Sequence, residues 1–177
     1  MNIEVVATEN ISVHQEAALE QLSAAVYPPE VRSTLPGQAV TWASPQWSLM
    51  LWERDQLISH VGLLMREISQ DGVVKRIGGL GGVATHPAKQ GQGYASQALR
   101  KAAEWLDTGM DVSYALLFCR AYLFPFYKRL SWKPFRGKVY VEQPGGKVEF
   151  TVNEAMVLDV RESAPLYGTL DLNGLPW

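Results

Sequence analysis

Val83-Ala84-Thr85-His86-Pro87-Ala88-Lys89-Gln90-Gly91-Gln92-Gly93-Tyr94-Ala95 is the stretch on which the fold turns. Upstream lies an apolar, glycine-rich run, and downstream Ala95, Ala98, Leu99, Ala102 and Leu106 recur on one helical stripe. The pattern predicts a strand over 73–85, a glycine-rich turn and an amphipathic helix over 92–108. A turn of this kind suits a pyrophosphate. The first N–H groups of a helix have no internal partner, and the helix dipole favours negative charge there. Gly91 and Gly93 let the backbone close on phosphates, Ala95 keeps the first helical turn slim, and Pro87 stiffens the entry.

Outward from this stretch, residues 3–7 are apolar and β-branched enough for a first strand. Residues 13–26 carry Ala, Leu and Val at helical spacing behind Ser12, a suitable N-cap. Pro28, Pro29, Pro36 and Pro45 break all periodicity over 27–45, which is expected to be a long loop with at most a short helix, and a candidate substrate lid. Residues 47–53 and 57–66 are expected as an antiparallel pair, and Asp71-Gly72 as the hairpin turn into the strand at 73. Beyond the main helix, the pattern predicts a buried strand over 114–119, a helix over 121–130, and strands over 138–143 and 148–160 around Pro144-Gly145-Gly146. The tail over 162–177 is too apolar for a free terminus and is expected to pack on the body. This order of elements implies one α/β (α+β) domain over 1–177, with a mixed, mostly antiparallel sheet flanked by helices.

Composition removes several classes of function. The net charge of −2 provides no basic field for nucleic acid or anionic lipid. The N-terminus lacks the layout of a signal peptide and no apolar run suffices to cross a bilayer, so a cytoplasmic protein with no membrane partner is expected. Cys119 is the only cysteine, which leaves no disulfide framework or thiolate metal site, and its apolar neighbours suggest a buried structural thiol. Gly79-Leu80-Gly81-Gly82-Val83-Ala84 fits a dinucleotide fingerprint by spacing alone. It lies within the strand instead of between strand and helix, and no Lys-Ser/Thr follows for a Walker loop.

The stretch 83–96 resembles the coenzyme motif of the GNAT acetyltransferase superfamily, Gln/Arg-x-x-Gly-x-Gly/Ala after a strand and a proline. Gln90, Gly93 and Ala95 stand at its fixed positions. The resemblance implies the acyl-CoA N-acyltransferase fold and acetyl-CoA as cofactor. The pyrophosphate would lie on Gln90, Gly91, Gln92, Gly93, Tyr94, Ala95 and Ser96, and the backbone of Val83, Ala84 and Thr85 would pair with pantetheine. Phe124-Pro125-Phe126-Tyr127-Lys128-Arg129-Leu130-Ser131-Trp132 resembles the family segment x-x-Phe-Tyr-x-x-x-Gly-Phe/Trp, which places Tyr127 as general acid to the leaving thiolate and Ser131 where the family has glycine.

In length and layout the chain is also similar to the aminoglycoside 2′-N-acetyltransferase branch, through Ile58-Ser59-His60, the coenzyme motif and the terminal tryptophan. Gly81 and Leu175 replace two carboxylates of that branch, which argues against a polycationic sugar as acceptor. An amine acceptor requires deprotonation. His60 on a cleft strand and the α-carboxylate of Trp177 are the candidate groups; Glu67 and Asp71 lie at the far end of the hairpin, and His86 in the loop after the strand. The leading expectation is direct acetyl transfer to a primary amine of a small molecule by a monomer or homodimer. The alternatives are a protein N-terminal or lysine acetyltransferase and a non-catalytic acyl-CoA-binding module.

Overall fold

In the computed structural model, which describes residues 1–177, Asp71 and Gly72 both take positive φ, 49° and 85°. This is the type I′ geometry that Asp-Gly favours in two-residue hairpins. The turn joins β3 (Gln56–Gln70) to β4 (Val73–Thr85). These two long strands form the spine of the sheet, paired antiparallel from Gln70↔Val73 to Ser59↔Thr85. The first strands are β1 (Asn2–Ala7) and β2 (Trp47–Glu53), with α1 (Val13–Val26) and α2 (Pro29–Arg32) between them. After β4 come α3 (Tyr94–Gly109), β5 (Tyr114–Cys119), α4 (Phe124–Lys128) and β6 (Lys133–Pro134). The chain closes with β7 (Lys138–Gln143), β8 (Gly146–Glu149), β9 (Glu154–Asp159) and β10 (Thr169–Asp171).

All ten strands belong to one sheet of order β6-β9-β5-β4-β3-β10-β7-β8, with β2 and then β1 continuing from β3. Only β4/β5 and β10/β7 are parallel, so the expected mixed, mostly antiparallel sheet is what forms. Strand alternation sorts the core into two faces. Leu49 and Leu51 of β2, with Ala115 and Leu117 of β5, pack under Ala98, Leu99, Ala102 and Leu106 of α3. Met50 and Trp52 turn the other way, toward Leu22 of α1. On that same face Tyr114 and Leu116 meet the tail through Leu170, Leu172 and Trp177. Ser12 caps α1 in a reciprocal capping box with Gln15.

Four local expectations need correction. β3 runs to Gln70 because β10 pairs with its far end at Ser69 and Gln70. The stretch 121–130 is not one helix: Ala121–Leu123 is a 3-10 turn and the α-helical part begins at Phe124, where Pro125 is tolerated in the first turn. The stretch 148–160 breaks into β8 and β9 as Phe150 turns into the core. The tail not only packs on the body but adds a strand. Asp71 accepts from Thr169 N–H at 2.8 Å through its side chain and donates its own N–H to Thr169 O at 2.9 Å, which docks β10 at the hairpin tip.

Candidate active site

Two features of β4 create an opening in the sheet. β4 pairs with β5 only at Gly78, Gly79 and Leu80, whereas β5 pairs with β9 along all of Tyr114–Cys119. The two strands therefore splay beyond Leu80, and the β5-facing edge of Val83, Ala84 and Thr85 is left without a strand partner. The second feature is a bulge, where Gly81 faces Gly62 and Ala84 faces His60, so that Gly82 and Val83 oppose Val61 alone. Gly82 takes φ of 56° at this point.

The turn that follows is braced from within. Gln90 Nε2 donates to Thr85 O at 3.1 Å and Gln92 Nε2 to Ala88 O at 3.1 Å, so both expected cofactor glutamines hold the loop's shape with their side chains. Tyr94 OH donates to Glu53 Oε1 at 3.0 Å, and Lys89 pairs with the same carboxylate, fastening the turn to the end of β2. Hydrogen bonds from Lys89 and then Tyr94 hold the Glu53 carboxyl below its ordinary pKa. Gly91 and Gly93 have φ of 74° and 86°, and a Cβ built on either meets no protein atom within 4 Å. Gln97 N–H is the first to close onto the helix, at Gly93 O and 3.0 Å. The amides of Gly93, Tyr94, Ala95 and Ser96 thus form an open, positively polarised end, a cradle that suits a pyrophosphate, beside two glycines with open space around them.

On the α1 face, a cavity of about 650 Å³ reaches the same opening. Gly81, Gly82 and Ala84 of β4 and Phe118 of β5 form its floor. Leu19, Leu22 and Tyr27 come from α1 and its end, Trp42, Ala43 and Pro45 from the proline-rich loop, and Trp177 from the tail. A second groove, of about 420 Å³, runs along the later turns of α3 beside Trp132 and Asp159, and touches neither β4 nor the 90–96 turn.

His60 stands on the wall of the larger cavity. Its Nδ1 is 2.9 Å from Gly82 O and its Nε2 is 3.1 Å from Ser48 Oγ. A carbonyl can only accept, so Nδ1 carries the proton and Nε2 accepts from the serine. Burial holds the ring below its ordinary pKa, against the opposing effect of the Gly82 hydrogen bond. His60 is thus a neutral imidazole tied across the bulge.

Trp177 is 8% exposed and packs against Gly79 and Gly81 of β4. A Cβ on Gly79 would lie 2.5 Å from Trp177 Cε2, and one on Gly81 would lie 3.1 Å from the Trp177 carbonyl carbon. Glycine at 79 and 81 therefore leaves the room that the tail takes up. Trp177 Nε1 donates to Leu116 O at 3.2 Å, and the Arg66 guanidinium lies 5.2 Å from the ring centroid while donating to Leu175 O at 2.6 Å.

Tyr127, 5% exposed, packs in the α3-side core against Phe126 and Trp132 and does not line the large cavity. Burial first, then Cys119, Tyr27 and Tyr122, raise its pKa well above the ordinary phenol, so the hydroxyl keeps its proton. Ser131 carries φ of 67°, which accounts for glycine at this position of the family segment. Cys119 is buried, with its thiol pushed up to about 12 by burial and Glu154. His86 caps the 3-10 turn Pro87–Lys89 through Ala88 N–H, and Asp71 is spent on the tail. The proline-rich loop and the tail, both expected near the site, supply Trp42, Ala43, Pro45 and Trp177 to the cavity wall, whereas the tie from His60 to Gly82 is a part of the site that spacing in the sequence does not expose.

A sheet opened between two parallel strands, beside a glycine-lined helix N-terminus, defines an acyl-CoA N-acyltransferase fold. The chain matches the Acetyltransferase (GNAT) domain over residues 14–135 and belongs to that family of N-acetyltransferases. Among solved structures it is similar to ElaA of Escherichia coli, with 21% identity and a TM-score of 0.61 over 89% of this chain and 99% of that one. It is also similar to a GNAT family acetyltransferase from Brucella melitensis in complex with acetyl-CoA, at 17% identity and TM-score 0.57 over 96% and 94% of the two chains. YhbS of Escherichia coli in complex with CoA aligns over 99% and 94%, at 14% identity and TM-score 0.60. No curated protein sequence matches significantly. No helix is long and apolar enough to cross a membrane.

Proposed function

We propose that this protein transfers the acetyl group of acetyl-CoA to a primary amine of a small molecule held in the 650 Å³ cavity. The observation that carries this reading is the gap between β4 and β5 beyond Leu80: the cavity floor at Gly81, Gly82, Ala84 and Phe118 lies at it, and β4 runs on from it into the turn and the amide cradle at Gly93–Ser96. Acetyl-CoA, when bound, supplies an activated acetyl thioester. The backbone amides at the helix start hold its diphosphate, and the edge of Val83–Thr85 that has no strand partner, apart from the Thr85 carbonyl held by Gln90, offers backbone groups to the pantetheine amides.

Tyr127 is the proton donor to the departing thiolate in this reading, supported by a buried hydroxyl that stays protonated at neutral pH. His60 orients the floor by tying Gly82, and its Nε2 lone pair reaches an acceptor only through the Ser48 hydroxyl or water. Trp177 closes the far wall. A small acceptor is favoured over a protein chain because the proline-rich loop and the tail both contribute wall residues, Trp42 and Trp177, where a peptide would need an open groove. The test is thiol release from acetyl-CoA by the purified protein across a panel of primary amines and lysine peptides. Amine-dependent release with small amines supports the reading. Release only with peptides, or none with acetyl-CoA bound, overturns it in favour of a protein acetyltransferase or a binding module.

A further inference from the structure

We infer that the acceptor is a primary monoamine on an apolar or aromatic body, with no second charge. This rests on the reading of the cavity as the acceptor site. No Asp, Glu, Lys or Arg side chain lines its wall. The titratable side chains there are His60, held neutral between Gly82 O and Ser48, and Tyr27, whose hydroxyl burial keeps protonated. Trp42, Phe118, Tyr27 and Trp177 present aromatic surface on several sides, and Leu19, Leu22 and Leu64 add aliphatic surface.

A second ammonium or a carboxylate on the acceptor would be desolvated here with no side chain of opposite charge to meet it, which is strongly unfavourable. A single amine fares differently. Burial disfavours its charged form and lowers its pKa, so an apolar pocket itself helps to produce the neutral nucleophile. That suits a wall that carries no side-chain carboxylate. Asn153 adds one polar group: it lines the cavity, and its buried Oδ1 has no hydrogen-bond partner in the protein. Gly81 fits the same picture, since Trp177 occupies the space into which a strand carboxylate would project.

The probes are 2-phenylethylamine and spermidine, with saturating acetyl-CoA and the full chain. We expect kcat/KM for 2-phenylethylamine to exceed that for spermidine by at least about 100-fold, the penalty for burying an unpaired charge. Binding alone provides a second readout, because Trp42 and Trp177 report on the cavity: 2-phenylethylamine should change tryptophan fluorescence saturably and spermidine should not. Trp42→Asp, at a wall position 37% exposed, should shrink the discrimination about tenfold in favour of spermidine. Equal or better use of spermidine overturns the inference while leaving acetyl transfer intact. Saturable binding of neither amine overturns it as well. A protein that binds no acetyl-CoA instead overturns the underlying assignment, and with it this one.

Discussion

Gly79 and Trp177 should be energetically coupled, and a double-mutant cycle measures that coupling. Trp177 is buried against β4, and the ideal Cβ of residue 79 lies 2.5 Å from its indole. Gly79 has ordinary backbone angles, so Gly79→Ala adds a methyl group without adding strain of its own. In the native background that methyl overpacks the indole and should cost about 1–3 kcal/mol. Trp177→Ala alone should cost about 3–5 kcal/mol, from lost burial and the cavity left behind. At roughly 2–4 °C per kcal/mol for a domain of this size, that is a fall of about 6–20 °C in melting temperature. In the Trp177→Ala background the added methyl enters vacated space, so Gly79→Ala should cost close to nothing. Chemical denaturation of the four proteins, with m-values compared, gives the cycle. The coupling should reach about 1–3 kcal/mol. Costs for Gly79→Ala that agree within about 0.5 kcal/mol in the two backgrounds would refute the placement of the tail on β4.

Tyr127→Phe should lower kcat by about 10²–10⁴-fold while leaving acetyl-CoA affinity unchanged, checked by steady-state kinetics and calorimetry. His60 is held below its ordinary pKa when folded. The unfolded chain therefore takes up that proton first, and stability that is intact above about pH 6.5 should decline as pH falls through it. His60→Gln should flatten the decline in pH-dependent unfolding. Ser131→Gly relieves a left-handed residue at φ of 67° and should raise stability by about 1 kcal/mol, read as a rise of roughly 2–4 °C in melting temperature.

Local chemistry made much of this architecture legible from residues alone. Asp71-Gly72 demands a hairpin, Ser12 caps a helix, and the stripe from Ala98 to Leu106 buries one face of α3. The glycine turn before α3 was legible for the same reason, since glycine conformation and helix start are encoded within a few residues. The misses share a different cause. β10 is three residues long and pairs with Ser69 and Gln70, about a hundred positions away, so no periodicity can announce it. The glycines of β4 resembled a dinucleotide fingerprint because what fills the space above Gly79 and Gly81 is Trp177, a residue near neither in sequence. The tie from His60 to Gly82 depends on the β4 bulge, which sets two residues against one across the pair and is a property of two strands together.

The central claim is that the turn ending at Gly93 binds the diphosphate of acetyl-CoA through backbone amides. Isothermal titration of acetyl-CoA into the native protein and Gly93→Val, each shown to be folded by its melting transition, tests it most directly. Hydrogen bonds to a charged group contribute about 1.5–3 kcal/mol each. A side chain that blocks two of them should weaken binding by at least about 100-fold. Native-like affinity in folded Gly93→Val would contradict the claim.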